Sequence, residues 1–247
     1  MVITTLGTSH GYNTYGNYYA STLFEAESGS YLVDAGCQAE TRMIHLGRDI
    51  SKIKAIFITH PHHDHMGGII GILKDIRRTS GGTANIDVYL PDDIGEDIKT
   101  WANAIFTDLS YVNFIPFDAG TIYDNGSFRV EAIPTNHLKR GDKVVSYSFA
   151  IETEGKSILC SGDVTREFED FPRICLEKEF DLCICESVHY LPEKAAELFE
   201  KAKIKRYIFN HIGDKWRGPR AGREFLEYFK NVKAEKEFAV DGQSFII

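Results

Sequence analysis

The run His60-Pro61-His62-His63-Asp64-His65 concentrates metal-ligating side chains in six residues. It follows a short apolar stretch, Ala55-Ile56-Phe57-Ile58, and precedes Met66-Gly67-Gly68 and a helical pattern. Alternate residues of an extended segment point the same way, so His60 and His62 converge on one point. Pro61 keeps His60 extended, because the residue before a proline is pushed out of the helical region. Asp64 and His65 fall where the chain turns into the helix and aim at a second, nearby point, while His63 is expected to point away. Imidazole and carboxylate are ligands that zinc and manganese accept. Two points this close predict a two-metal centre with ions roughly 3.5–4 Å apart. Histidine-rich tracts also arise as tags or incidental surface clusters, but this one is internal and mixes its ligands at fixed spacing.

Such a centre needs ligands from elsewhere in the chain. The candidates are His137 in Pro134-Thr135-Asn136-His137, Asp163 in Cys160-Ser161-Gly162-Asp163, and His211 in Phe209-Asn210-His211-Ile212-Gly213. Each lies just beyond an apolar run, at 128–133, 157–160 and 207–209. Loops carried by a rigid sheet are where functional residues concentrate.

Taken in order, Asp34 (in Val33-Asp34-Ala35-Gly36), His60-x-His62-x-Asp64-His65, His137, Asp163 and His211 resemble the five motifs of the metallo-β-lactamase superfamily. The resemblance implies an α/β fold, a four-layer αββα sandwich with a dinuclear site at one edge. It assigns His60, His62 and His137 to the first metal and Asp64, His65 and His211 to the second. Asp163 would bridge them, and Asp34 would orient ligands from behind. The ions would be divalent, with zinc first and manganese or iron as the other metals such ligands take.

An aspartate at the bridging position counts against class B β-lactamases. Leu6-Gly7-Thr8-Ser9, Thr22 to Ala26 and Tyr31 to Gly36 resemble the openings of ribonuclease Z and its relatives. The tracts Asp181 to Glu186 and Tyr207 to Gly213 also resemble that branch. Phe238-Ala239-Val240-Asp241-Gly242-Gln243 is similar to the cyclic phosphodiesterase of bacterial phosphonate breakdown. Two departures matter. After His137 the chain returns to the sheet within a few residues, leaving no room for a long tRNA-gripping arm. Between Glu186 and His211 it lacks a histidine-containing insertion. The expectation is a phosphodiesterase acting on a small or cyclic phosphodiester. Its alternatives are a lactonase or thioesterase of the same fold, or ribonuclease Z-like RNA processing. Long nucleic acid is disfavoured as a partner. A dead or redox member is disfavoured too, since no ligand is missing and His62 is intact.

Two divalent ions carry four positive charges, and Asp64, Asp163 and a bridging hydroxide return three, so the centre attracts an anionic phosphate. A metal-bound hydroxide, available near neutral pH, would attack phosphorus while the metals stabilise the oxygens. Asp64 would orient that hydroxide or accept its proton. His189 in Glu186-Ser187-Val188-His189 is the candidate acid for the leaving alkoxide; a surface loop histidine is the equal alternative. Lys139-Arg140-Gly141-Asp142-Lys143 and Lys215-Trp216-Arg217 follow two ligands closely. There Arg140 and Arg217 are candidate phosphate-binding forks, and Trp216 a stacking surface for a base.

The rest of the chain must position these groups. Its 247 residues, 43% hydrophobic and 26% charged, suit a globular protein, taken here as one domain over 1–247. No apolar run reaches the roughly 20 residues of a membrane helix, and the N-terminus reads as a strand. A formal charge of −8 disfavours generic nucleic-acid binding. Five cysteines without a regular framework suit the cytoplasm, with Cys183 and Cys185 as buried strand thiols. A homodimer is permitted. Strands are predicted near 2–7, 19–26, 30–34, 54–58, 86–90, 127–133, 145–152, 156–160, 181–185, 206–209, 236–240 and 243–247. Helices are predicted over 40–46 and 92–106, from Pro192, and over about 220–230. In 92–106 the expected buried stripe is Ile94, Ile98, Trp101 and Ile105.

Overall fold

The computed structural model describes residues 1–12 and 16–247. The chain divides into two compact units, Met1–Asp118 with Val240–Ile246, and Ala119–Ala239.

The first unit holds β1 (Val2–Gly7), β2 (Ser21–Ala26), β3 (Gly29–Val33), β4 (Ile53–Phe57), β5 (Ile86–Leu90) and β6 (Val112–Pro116). Its helices are α1 (Ala39–His45), α2 (His63–Met66), α3 (Ile69–Thr79) and α4 (Gly95–Ala104). Strands β1, β2 and β3 pair antiparallel, whereas β3 to β6 run parallel. Parallel strands are covered on both faces and read as apolar runs, and Ile56, Phe57 and Val88 are fully buried. Helix α3 turns Ile69, Ile72, Leu73 and Ile76 to this core at helical spacing. Each such side chain contributes about 2 kcal/mol by leaving water.

The second unit holds β7 (Gly120–Asp124), β8 (Phe128–Pro134), β9 (Lys139–Arg140), β10 (Lys143–Val144), β11 (Tyr147–Thr153), β12 (Lys156–Cys160), β13 (Leu182–Glu186), β14 (Arg206–Asn210) and β15 (Glu235–Phe238). Helices α5 (Pro192–Lys201) and α6 (Gly218–Glu227) accompany them. Seven of these strands form one mixed sheet, β15-β14-β13-β12-β11-β8-β7, in which β12 to β15 are parallel. Strands β9 and β10 make a separate hairpin. An aromatic core of Phe199, Tyr207, Phe209, Phe225 and Phe229 binds sheet to helices, with Phe209 and Phe229 stacked at 5.5 Å. The last strand, β16 (Gln243–Ile246), pairs antiparallel with β1 and completes the first unit's seven-stranded sheet.

Twelve of the strands lie where the sequence places them. The strands β6 and β7 and the hairpin were not expected. In α4 the buried residues are Gly95, Ile98 and Ala102, and Ile94 packs partly on the core. Trp101 and Ile105 are about half exposed, so the expected stripe is corrected to the i, i+4 row through Ile98 and Ala102. All five cysteines are free and buried, Cys183 and Cys185 included. Among the described residues no helix is long and apolar enough to cross a membrane.

Candidate metal centre

In the first unit the candidate metal-ligating side chains leave the sheet at the C-terminal ends of parallel strands, where open α/β sheets bind ligands. Asp34 directly follows β3, and His60 and His62 follow β4. Asp34 adopts a left-handed backbone conformation (φ 60°), which breaks the strand there. Its amide donates to the Phe57 carbonyl (2.9 Å), and the Ala35 amide donates to the His65 carbonyl (2.7 Å). At Gly36 the chain passes so close to α2 that a Cβ would sit 1.6 Å from the Asp64 carbonyl oxygen. Val33-Asp34-Ala35-Gly36 is thus a seat for the ligand helix.

Asp34 is buried and its carboxylate is fully engaged. It accepts the Thr59 amide (2.8 Å), the Thr59 hydroxyl (3.0 Å) and His65 Nδ1 (2.7 Å). A carboxylate behind one ring nitrogen fixes the orientation of the imidazole and so the direction of the other nitrogen. For His65 that is Nε2, which lies 3.5 Å from Asp64 Oδ2. His60 Nδ1 lies 3.1 Å from the Thr59 hydroxyl, and its Nε2 approaches His62 Nδ1 to 2.9 Å. The unit therefore sets His60 beside His62 and Asp64 beside His65. His63 is exposed, its ring edge-on to Tyr19, away from both pairs.

The second unit gathers His137, Asp163, Glu186, His189 and His211. Ser146 pins the loop carrying His137: its hydroxyl accepts the Leu138 amide and the Thr135 hydroxyl, each at 2.9 Å. Asp163 follows β12 and is 3% exposed, so its charge requires compensating partners. His137 Nε2 and His189 Nδ1 each lie 3.6 Å from its Oδ2, and His211 Nδ1 lies 3.7 Å from its Oδ1. His211, just past β14, holds a left-handed conformation (φ 47°). One ligand atom from each of Asp163, Glu186, His189 and His211 falls within 4.8 Å of the others.

Glu186 is the residue that sequence reasoning passed over. Its carboxylate accepts the Val164, Val188 and His189 amides at 2.8–3.0 Å and lies 3.0 Å from His189 Nδ1. The available signal was an acidic residue ending the apolar run Leu182-Cys183-Ile184-Cys185. It fixes His189 beside Asp163, whereas an unanchored loop histidine would have no such partner.

The cationic clusters differ. Arg140 stands exposed on the β9–β10 hairpin with Lys139 and Lys143. Arg217 donates through Nη2 to the Ile212 carbonyl (2.8 Å) and lies 3.6 Å from Asp214. Trp216 is only 7% exposed, packed edge-on against Phe225 with Lys215 over its ring, so it is a core residue and not a free stacking surface.

The family model of the anti-Pycsar protein Apyc1 matches residues 1–230. Ribonuclease Z of Listeria monocytogenes (strain EGD-e) is 30% identical over 301 aligned positions, covering 98% of this chain and 97% of that protein. The alignment is longer than the chain, so that relative carries insertions absent here. Among solved structures, the short form of human tRNase Z superposes with a TM-score of 0.77 at 21% identity, covering 100% of this chain and 99% of the other. A diphosphatase of the PhnP family gives 0.73 at 19% identity, covering 100% and 97%. These likenesses show the metallo-β-lactamase fold, with two mixed sheets and flanking helices.

Proposed function

Since the chain belongs to the Apyc1 family, in the ribonuclease Z-related branch of the metallo-β-lactamase-fold hydrolases, we propose that it is a dinuclear metal phosphodiesterase acting on cyclic nucleotides. In this reading residues 1–247 act as one hydrolase domain. His60, His62 and His137 would hold one divalent ion, Asp64, His65 and His211 would hold the other, and Asp163 would serve both. The observation that carries the reading is the buttress behind His65, where buried Asp34 fixes the imidazole through Nδ1 and turns its Nε2 toward Asp64. A donor set of imidazoles and carboxylates fits zinc, and also manganese or iron. When bound, the ions supply positive charge for a phosphate and lower the pKa of water.

The chain's own residues do the rest. Asp64, buried beside His65, would orient the attacking water in this reading. Glu186 anchors His189 through Nδ1, which leaves Nε2 to deliver a proton to the departing alkoxide. Arg140, with the flanking lysines of its hairpin, offers charge-assisted hydrogen bonds to phosphate oxygens. Arg217 is proposed as a second phosphate contact, held by Ile212 and Asp214. The hairpin is only two residues per strand, too short to track a long backbone, which favours small cyclic substrates over precursor tRNA. The free cysteines fit a cytoplasmic enzyme.

The acid role has a direct test. His189→Ala and Glu186→Gln are expected to lower kcat about 10²–10⁴-fold on a cyclic nucleotide, whose alkoxide leaves poorly. The same variants should lose much less on bis-p-nitrophenyl phosphate, whose leaving group needs no proton. Equal losses on both substrates would remove His189 as the acid. Turnover of p-nitrophenyl acetate or a homoserine lactone far above that of phosphodiesters would favour a lactonase or esterase instead.

A further inference from the structure

One groove in the first unit involves neither ligand pair directly. It encloses about 420 Å³, and its side-chain lining includes Asn17, Tyr18, Tyr19, Gln38 and His63. That volume suits a small-molecule fragment. Among the described residues no lysine, arginine or carboxylate lines it, so it suits an uncharged ring better than a second phosphate.

The groove has a prepared frame. Asp241 accepts the Tyr18 amide (2.7 Å) and the Thr8 hydroxyl (2.6 Å), which fixes the backbone presenting Asn17 to Tyr19. The Arg42 guanidinium lies 4.5 Å over the Tyr18 ring and donates to the Leu6 carbonyl (3.1 Å). Tyr19 meets His63 edge-on, with centroids 5.6 Å apart and planes at 82°. Gln38 stands exposed at the start of α1, and Asn17 reaches Thr8 and Asp241 only at 3.4 Å. Flat rings beside side-chain amides are the equipment proteins use for heterocyclic bases: the rings stack, and the amides read the edge.

Its place on α2 gives the groove a purpose. His63 is exposed, while Asp64 and His65 on the same helical turn are buried with the ligand pairs. His63 is the direct chain neighbour of His62 and Asp64, so the groove begins about one Cα–Cα step, 3.8 Å, from residues of both pairs, within the reach of one nucleotide. We propose that this groove holds the heterocyclic base of the substrate, stacked on one of the two perpendicular rings, Tyr19 and His63, and met at its edge by the other, with Asn17 and Gln38 as hydrogen-bonding partners. The proposal rests on the cyclic-nucleotide reading above. It makes His63 a specificity residue.

The test compares the four common nucleoside 3′,5′-cyclic phosphates with a base-free analogue, 1-O-methylribose 3′,5′-cyclic phosphate. The wild-type protein should prefer at least one nucleotide in kcat/KM. His63→Ala and Gln38→Ala, both at exposed positions, should each erode that preference about tenfold through KM, in the range measured for loss of one base stack or contact. A wild-type enzyme indifferent to the base, or variants that keep the preference, would overturn the pocket. Amide shifts are followed in parallel as each nucleotide is titrated into wild-type and variant protein. If no cyclic phosphate is hydrolysed but residues 17–19 and 63 shift in the wild type alone, the pocket stands and the phosphodiesterase reading falls. If those residues do not shift, the pocket falls whatever the activity.

Discussion

At the scale of single residues, the account turns on how each ligand is held. Asp34→Asn would present an amide N–H where His65 Nδ1 now meets a carboxylate oxygen. The expected result is a 10–100-fold loss of metal affinity with the fold retained, measured by competition against a chromogenic chelator. Asp163→Ala should abolish hydrolysis with little change in circular dichroism, because a joining carboxylate sets the spacing of two ions; near-normal activity would show that Asp163 does not join them. Burial pushes the Cys37 thiol up to about 12, so at pH 8 almost none of it is thiolate. Mass spectrometry after iodoacetamide treatment should find Cys37 unlabelled in native protein and labelled after unfolding. The ligand types were legible in the sequence because metal chemistry admits few of them. Glu186 was not, since a lone acidic residue at a strand end acquires meaning only when three backbone amides and His189 fold around it.

At the scale of elements, strand ends and one close approach position the ligands. Gly36→Ala would drive a Cβ into the Asp64 carbonyl, and the seat of α2 must shift to relieve it. The expected cost is about 3 kcal/mol, with a lower thermal midpoint and loss of metal. Replacing Lys139, Arg140 and Lys143 together by alanine should raise KM for a small phosphodiester severalfold and leave metal content unchanged. Loss of metal in that variant would make the hairpin structural. Most strands were legible because parallel strands read as continuous apolar runs. Strands β6 and β7 escaped because each is short and only partly buried, so neither alternation nor an apolar run marks it. The face of α4 was misplaced because apolar spacing alone admits Trp101 and Ile105, whereas the core accommodates only the row through Ile98 and Ala102. The structure likewise placed Trp216 in the core, where the sequence suggested a base-stacking role.

At the scale of the molecule, an acidic chain hydrolysing an anionic substrate requires local positive charge, which divalent ions provide. Metal that binds only the folded protein also stabilises it, by about 2.7 kcal/mol when free metal is a hundred times its Kd. Chelation should therefore lower the thermal midpoint and readdition restore it. Order along the chain made the family legible, since Asp34 and candidate ligands from four further segments recur in the expected sequence. The substrate was less legible, because phosphate esters, thioesters and lactones can share one set of ligands. The most direct measurement is metal content against turnover: apoprotein is titrated with zinc while hydrolysis of a nucleoside 3′,5′-cyclic phosphate to the mononucleotide is followed. The account predicts activity that rises to a plateau at about two ions per chain, with two ions confirmed by elemental analysis. A protein that binds no metal, or that binds two ions and cleaves precursor tRNA but no cyclic nucleotide, would contradict it.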